Sequence, residues 1–197
     1  MSDKNISRRR GRPRSFDPGE AVATAQGLFH SRGYDGVSVA DVTSAIGINA
    51  PSFYAAFGSK AGLYDQVLQR WACTGAIPLQ DILRTDRLVE ASLVDLLTEA
   101  ARQYAADPDA TGCLVLEGTR SNDADARQAA SAYSVAAQEA IREYIAQRHP
   151  ESADLLADYV CTTMVGLSAQ ARNGLDRNRL LEVAETAGLA ISRVLTD

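Results

Sequence analysis

The sequence predicts an all-α protein. Apolar residues recur at helical spacing, Pro and Gly fall mainly at breaks between those runs, and strand-like alternation is nearly absent. With 197 residues, 46% hydrophobic and 23% charged, the chain has room for one generous domain or two small ones, and is too apolar to be disordered in bulk. No stretch approaches the ~18–20 apolar residues of a membrane span. The basic start has no apolar run behind it, so it does not read as a secretory signal. Cys73, Cys113 and Cys161 lie far apart, with no CxxC or Cys/His cluster. That argues against a disulfide framework and a structural zinc site, and for a reducing cytoplasm.

The first helix start is Asp17-Pro18-Gly19-Glu20: an acidic N-cap, a proline at the first helical position and a glutamate at the third. Val22, Ala25, Leu28 and Phe29 mark one face, and Gly33 is the stop. Ser38-Val-Ala-Asp41 is a capping-box start for a helix with Val39, Val42 and Ile46 inward, ending at Gly47. After Ile48 alone comes a third start, with Asn49 as N-cap and Pro51 in the first turn; Phe53, Tyr54 and Phe57 follow before Gly58. Ser59 then caps a longer helix with Leu63, Val67, Leu68 and Trp71 on its apolar side. Further helices are expected at about 87–106, 113–121, 124–148, 153–173 and 178–195, broken by Asp107-Pro108-Asp109 and His149-Pro150. Three short helices with a very tight turn between the last two have the geometry of a helix-turn-helix, although a small helical core has the same spacing.

Charge is unevenly placed. The chain has a net charge of −5, yet its first sixty residues carry eight Lys/Arg against five Asp/Glu, and the remainder twelve against twenty. Lys4, Arg8, Arg9, Arg10, Arg12 and Arg14 face only Asp3 in the N-terminal arm. A short basic arm on an acidic body suggests a polyanion held at one end; an address signal or a solvated tail shares that composition.

The segment from Phe16 to Leu68 resembles the DNA-binding domain of TetR/AcrR-type transcriptional regulators. The resemblance is carried by Leu28-Phe29, Gly33-Tyr34, Ser38-Val-Ala-Asp-Val, Ala45-Ile-Gly-Ile, Ser52-Phe-Tyr54, Phe57-Gly-Ser-Lys60 and Leu63. It covers roughly a quarter of the chain. It implies a basic arm over 1–15, a helix-turn-helix domain over 16–60 and a larger helical effector-binding and dimerisation domain over 61–197.

By this resemblance the recognition helix runs at about 49–57, with Asn49, Ala50, Pro51 and Ser52 toward base edges. Tyr54 and Lys60 match family residues that reach phosphates. Ser38, at a helix N-terminus, suits a phosphate oxygen; it reads as a cap, alone or together with that contact. Arg12 and Arg14, in Gly-Arg-Pro-Arg, resemble tetrapeptides that enter the minor groove. Tyr54 also reads as a core aromatic with its hydroxyl exposed, and Lys60 as a solvated lysine. Ala55 and Ala56 stand where many members carry a bulky aromatic and a basic residue, which shifts affinity toward the arm. Gly62 replaces a commonly acidic residue and is expected to weaken its helix start by under ~1 kcal/mol.

The family's middle helices hold an effector cavity, and its last two form a four-helix dimer interface. Candidate cavity residues are Trp71, Tyr104, Cys113, Leu116, Tyr133 and Met164, each of which also reads as ordinary core. Two stripes are candidate dimer faces: Leu156, Val160, Thr163, Leu167 and Ala171, then Leu180, Ala184, Ala187, Ile191 and Val194, with Gly188 and Ala190 allowing close approach. Both could instead pack inside one subunit. Cys113 is expected at a helix start, where free N–H groups lower a thiol pKa, with Arg120 on the same side; a redox- or electrophile-sensing thiol and a small buried residue are its two readings.

The expected partners are therefore a double-stranded DNA operator, a second copy of the chain and a small-molecule effector. No cofactor, metal or membrane partner is expected. An enzyme finds no support in a phosphate loop, nucleophile elbow or HExxH motif. A non-catalytic helical adaptor with a basic arm is the remaining alternative.

Overall fold

The computed structural model describes residues 16–196. Arg12 and Arg14 lie outside them. Within the described residues every regular element is a helix, as the sequence leads one to expect.

Local signals set the first four. α1 (Pro18–Arg32) starts where the Asp17 carboxylate accepts from the backbone N–H of Gly19 and Glu20, and ends at Gly33. α2 (Val39–Ile46) opens on a capping box: Ser38 accepts from the Asp41 N–H while Asp41 accepts from the Ser38 N–H. It closes on Gly47 at φ 69° and ψ 33°, a left-handed conformation that favours glycine. α3 (Ala50–Phe57) is capped by Asn49, and α4 (Lys60–Thr74) by Ser59. At Gly62, a Cβ would lie 2.3 Å from the Phe57 carbonyl oxygen. Glycine is what permits the tight α3–α4 turn, so it supports this junction and does not merely weaken a helix start.

α5 (Leu79–Ile82), preceded by Pro78, is a single turn that the periodicity does not reveal. α6 (Val89–Tyr104), α8 (Ala124–Ala146), α9 (Ala153–Arg172) and α10 (Arg177–Thr196) fall close to their expected spans. α7 (Leu114–Gly118) is shorter than expected. The chain turns beyond Gly118, where a Cβ would come within 2.8 Å of the Ala130 Cβ and closer still to the Tyr64 hydroxyl. That close approach brings α7 against α4 and α8.

Two cores result. The first is aromatic and gathers Phe29, Phe53, Phe57 and Tyr64 from the first four helices and Tyr34 from the turn after α1, with Leu114, Ala126 and Ala130. Tyr64 meets Phe29 and Tyr34 edge-on, at centroid distances of 5.1 and 4.9 Å. The buried face of α4 belongs to this core. The second is aliphatic and packs α6 against α8, α9 and α10.

The C-terminal stripes turn inward. Leu156, Val160, Ala171, Leu180, Ala184 and Ile191 are buried in the second core against other elements of the same chain; Leu167 and Ala187 are also buried there, but with Thr163 they line a groove between α9 and α10. Thr163 is half-buried and donates to the Tyr159 carbonyl at 2.8 Å. The apolar face of α6, including Leu93, Leu96, Leu97 and Ala100, is the partner these stripes needed. Gly188 approaches Val94 of α6, with its would-be Cβ 3.0 Å from a valine methyl, rather than a second subunit. The outward faces of α9 and α10 instead expose Leu155, Val183 and Leu189, the last at 73%.

Candidate functional site

The tight Gly47–Ile48 connection stands α3 off the first core with only one side engaged. Phe53 and Phe57 are buried, while Asn49, Ala50, Pro51 and Tyr54 are exposed and Ser52 is half-exposed. Tyr54 is 52% exposed with its ring edge-on to Phe53, so it is a surface aromatic. Asn49 Oδ1 accepts from the Ser52 N–H at 2.9 Å, which leaves the Asn49 amide N–H pair as its free hydrogen-bonding end.

Lys60 and Ser38 flank this helix, and both have partners. Lys60 Nζ sits 3.9 Å from the centroid of the Tyr34 ring. Partial burial lowers the Lys60 pKa, against the opposing pull of Asp35, Asp123 and Asp41. The Ser38 hydroxyl donates to Asp41 Oδ2 at 2.6 Å and accepts from the Asp41 N–H at 3.1 Å. The hydroxyl's donation, with that of the Ser38 backbone N–H at 2.8 Å, holds the Asp41 carboxyl below its ordinary pKa. Arg32, which the sequence pattern does not single out, lies 3.5 Å from the same carboxylate. It adds an exposed cation to the α2 end of this surface.

A cavity of about 510 Å³ opens among α4, α5, α6, α7, α8 and α9. Trp71, Tyr104, Cys113, Leu116, Tyr133 and Met164 all lie on its wall. Gly75 lets the Trp71 indole lie close over the backbone, since a Cβ there would be 2.5 Å from the ring. Sequence reasoning did not identify Gln80, Gln103, Ser134 or Cys161, which also line the cavity. Small or polar residues on helices carry no periodic signal that marks a cavity wall.

The Cys113 thiol differs from expectation. Burial raises its pKa and outweighs the lowering effect of the Leu116 and Val115 N–H groups and the Tyr104 hydroxyl. α7 ends before Arg120, and the cation acting on the thiol is Arg172. A backbone N–H array stabilises a thiolate only where the sulfur keeps enough solvation. Among the described residues, no group of three His, Cys, Asp or Glu is placed to hold a metal ion.

The cavity wall is in contact with α1. His30 of α1 packs edge-on to Trp71 at 4.8 Å, and its Nε2 lies 3.0 Å from the Gly112 carbonyl, next to Cys113. Arg172 donates to the His30 carbonyl at 2.9 Å and pairs with Glu117 at 3.3 Å. Farther along, the Tyr34 hydroxyl donates to Asp123 at 3.0 Å. The Asp35 carboxylate accepts from Ser121 Oγ and from the backbone and side-chain N–H groups of Asn122.

The family model described as bacterial regulatory proteins, tetR family, matches residues 21–67. Over all 197 residues, spanning both chains in full, the sequence is 50% identical to the HTH-type transcriptional repressor BdcR of Escherichia coli strain K12. The chain belongs to the TetR family. This bears out the resemblance carried by the N-terminal segment, and it identifies a DNA-binding regulator family rather than an enzyme. A second relative in sequence, the HTH-type transcriptional repressor ComR of the same organism, is 29% identical over 196 residues, covering 94% of this chain and 93% of its own. Among solved structures, the TetR family regulator CifR, as a cysteine mutant complexed with 26bp double-strand operator DNA, superposes with a TM-score of 0.83 at 32% identity. That match covers 91% of this chain and 99% of CifR.

Proposed function

We propose that this TetR-family protein is a cytoplasmic, dimeric repressor that binds a pseudo-palindromic operator and leaves it when a small molecule occupies the cavity behind Trp71. The exposed N-terminal surface of α3 carries the reading. It presents Asn49, Ala50, Pro51 and Ser52 outward on a helix whose other side is anchored by Phe53 and Phe57. The full-length similarity to BdcR and the operator complex of CifR support it.

In this reading residues 16–60 form the DNA-binding unit, and 61–197 the effector and dimer unit. The Asn49 amide and the Ser52 hydroxyl read base edges, and Ala50 and Pro51 give apolar contact. Tyr54 donates to a phosphate; Lys60 swings from the Tyr34 ring to another. Ser38 offers its hydroxyl where the Asp41 cap releases it, and Arg12 and Arg14 follow the minor groove. Two such surfaces must sit ~34–36 Å apart, one turn of duplex, to read a palindrome. The outward faces of α9 and α10, with a groove of about 550 Å³ lined by Tyr159, Gly166 and Val183, are the self-association surface. An effector acts by favouring the state in which that spacing is wrong, and the contacts of Trp71 with His30 supply the route.

Selection of bound duplexes from a random pool followed by salt titration tests the reading. Log K should fall linearly with log salt, with a slope reflecting several phosphates per dimer. Lys60→Ala should weaken all duplexes alike, whereas Ser52→Ala should change sequence preference. Indifference of the purified protein to every duplex would end the proposal.

A second reading is favoured by one observation: Cys113 lies on the cavity wall beside Tyr104. An activated alkene that enters the cavity would form an Sγ–C bond at one alkene carbon as its C=C π bond opens and the thiol proton passes to the other carbon, giving release by modification. Cys113→Ser should then abolish electrophile-induced loss of operator binding; an unchanged response rules this route out.

A further inference from the structure

The cavity behind Trp71 is polar in places but carries no formal charge. Among the described residues, its lining includes no Lys, Arg, His, Asp or Glu. Its ionisable groups are held neutral as well. Burial pushes the Tyr104 and Tyr133 hydroxyls and the Cys113 thiol upward, and the Cys161 thiol to about 11. The charges nearby stand outside the lining: Arg172 pairs with Glu117 at 3.3 Å and bonds the His30 carbonyl, while the solvent-exposed Asp158 and Asp65 carboxylates, which act on Cys161 and Tyr133, accept from the Gln138 and Gln69 carboxamides.

What polarity the wall offers is dipolar. Gln103 Nε2 donates to the Gly75 carbonyl at 2.9 Å, which leaves Oε1 as the acceptor it can offer a guest. Gln80, Ser134 and Tyr133 add amide and hydroxyl groups. The remaining wall is the indole of Trp71, the thioether of Met164 and aliphatic carbon from residues such as Leu116 and Ile141. An aromatic or branched apolar body fits these surfaces. The volume of about 510 Å³ falls within the usual span of small-molecule sites. An ion entering here would shed its hydration and meet no countercharge on the wall, whereas a hydroxyl, carbonyl or amide could exchange water for the carboxamides.

Building on the reading of this cavity as the effector site, we infer that it selects an uncharged, mainly apolar molecule with one or two hydrogen-bonding groups. It discriminates against carboxylate and ammonium forms of the same skeleton.

The protein reports on its own cavity, because Trp71 is its single tryptophan. Full-length protein without DNA is titrated with three matched probes, para-tert-butylbenzyl alcohol, para-tert-butylbenzoate and para-tert-butylbenzylammonium, with Trp71 emission as the readout. The alcohol should give a saturable change with a Kd at least about tenfold below that of either ion. Leu116→Trp, which fills the cavity, is read by calorimetry because it adds a second indole, and should lose alcohol binding while keeping a cooperative thermal transition. Equal or tighter binding of either ion overturns the inference. So does the absence of a saturable change with all three probes, or alcohol binding that survives Leu116→Trp. Release of operator duplex by each probe is measured separately. An alcohol that binds the cavity without releasing DNA supports the charge preference and counts only against effector-driven release.

Discussion

His30 shows how a single side chain can report on its surroundings through pH. Burial lowers its pKa from 6.5; Arg172 adds to this, and the Gly112 carbonyl opposes it. A histidine whose charged form is disfavoured in the folded state binds fewer protons there than in the unfolded chain. Below pH of about 6.5 and down to the folded pKa, the unfolded chain therefore takes up the extra proton, and stability falls as pH falls. Above that window this contribution is fully present. Urea unfolding at stepped pH should show this slope in the parent protein, and His30→Gln, which keeps a donor for Gly112, should flatten it. A slope unchanged in the variant would assign the effect elsewhere. Gly62 makes a steric point at the same scale: a Cβ 2.3 Å from the Phe57 oxygen forces the α3–α4 turn to move. Gly62→Ala should cost about 1–3 kcal/mol by the same unfolding measurement, despite alanine's better helix propensity.

At the scale of elements, capping and the proposed recognition role fall on one residue. Asn49 both caps α3 and faces outward. Asn49→Ala removes the acceptor for the Ser52 N–H and should destabilise α3 by about 0.5–2 kcal/mol, so a loss of DNA affinity in that variant would mix two causes. Asn49→Ser keeps a capping oxygen and removes the carboxamide. Its thermal midpoint should stay near that of the parent while the preferred base at one operator position changes; a preference identical to the parent's would remove Asn49 from base reading. The cap itself was legible because caps, capping boxes and glycine stops are decided within four or five residues, as at Asp17, Ser38 and Gly47. α9 and α10 were legible as helices but not in their facing. Their apolar stripes have the same period whether α6 or another subunit covers them, and only the chain's path decides that Leu180 and Ile191 meet α6. α5 escaped notice because one turn after Pro78 is too short for periodicity. The cavity candidates were visible as large side chains; that a cavity, rather than close packing, lies between them depends on how six helices meet.

At the scale of the molecule, α8 contributes to both cores, directional bonds tie the first core's elements to the cavity helices, and the proposed regulation requires those bonds to be sensitive to the cavity. Two groups of contacts make the junction. His30, Gly112 and Arg172 lie directly behind Trp71 and Cys113, while Tyr34 and Asp35 grip the Ser121–Asp123 turn that opens α8, the helix supplying Tyr133 and Ser134 to the cavity. The Asp35 carboxylate accepts three bonds from the Ser121–Asp123 turn, whereas the Asp123 carboxylate accepts one from the Tyr34 hydroxyl, so Asp35 is the stronger half of the second grip. A coupling free energy between two sites is typically about 1–3 kcal/mol, or roughly 5–150-fold in affinity, and linkage makes it reciprocal. Asp35→Ala should therefore leave probe affinity in DNA-free protein near the parent value, read by Trp71 emission, while shrinking the factor by which the probe weakens operator binding by several-fold. Operator duplex should lose the same factor in its effect on probe affinity, because both describe one coupling. If probe affinity without DNA fell as far as the coupling did, Asp35 would be supporting the cavity wall, and transmission would rest on the His30 contacts alone.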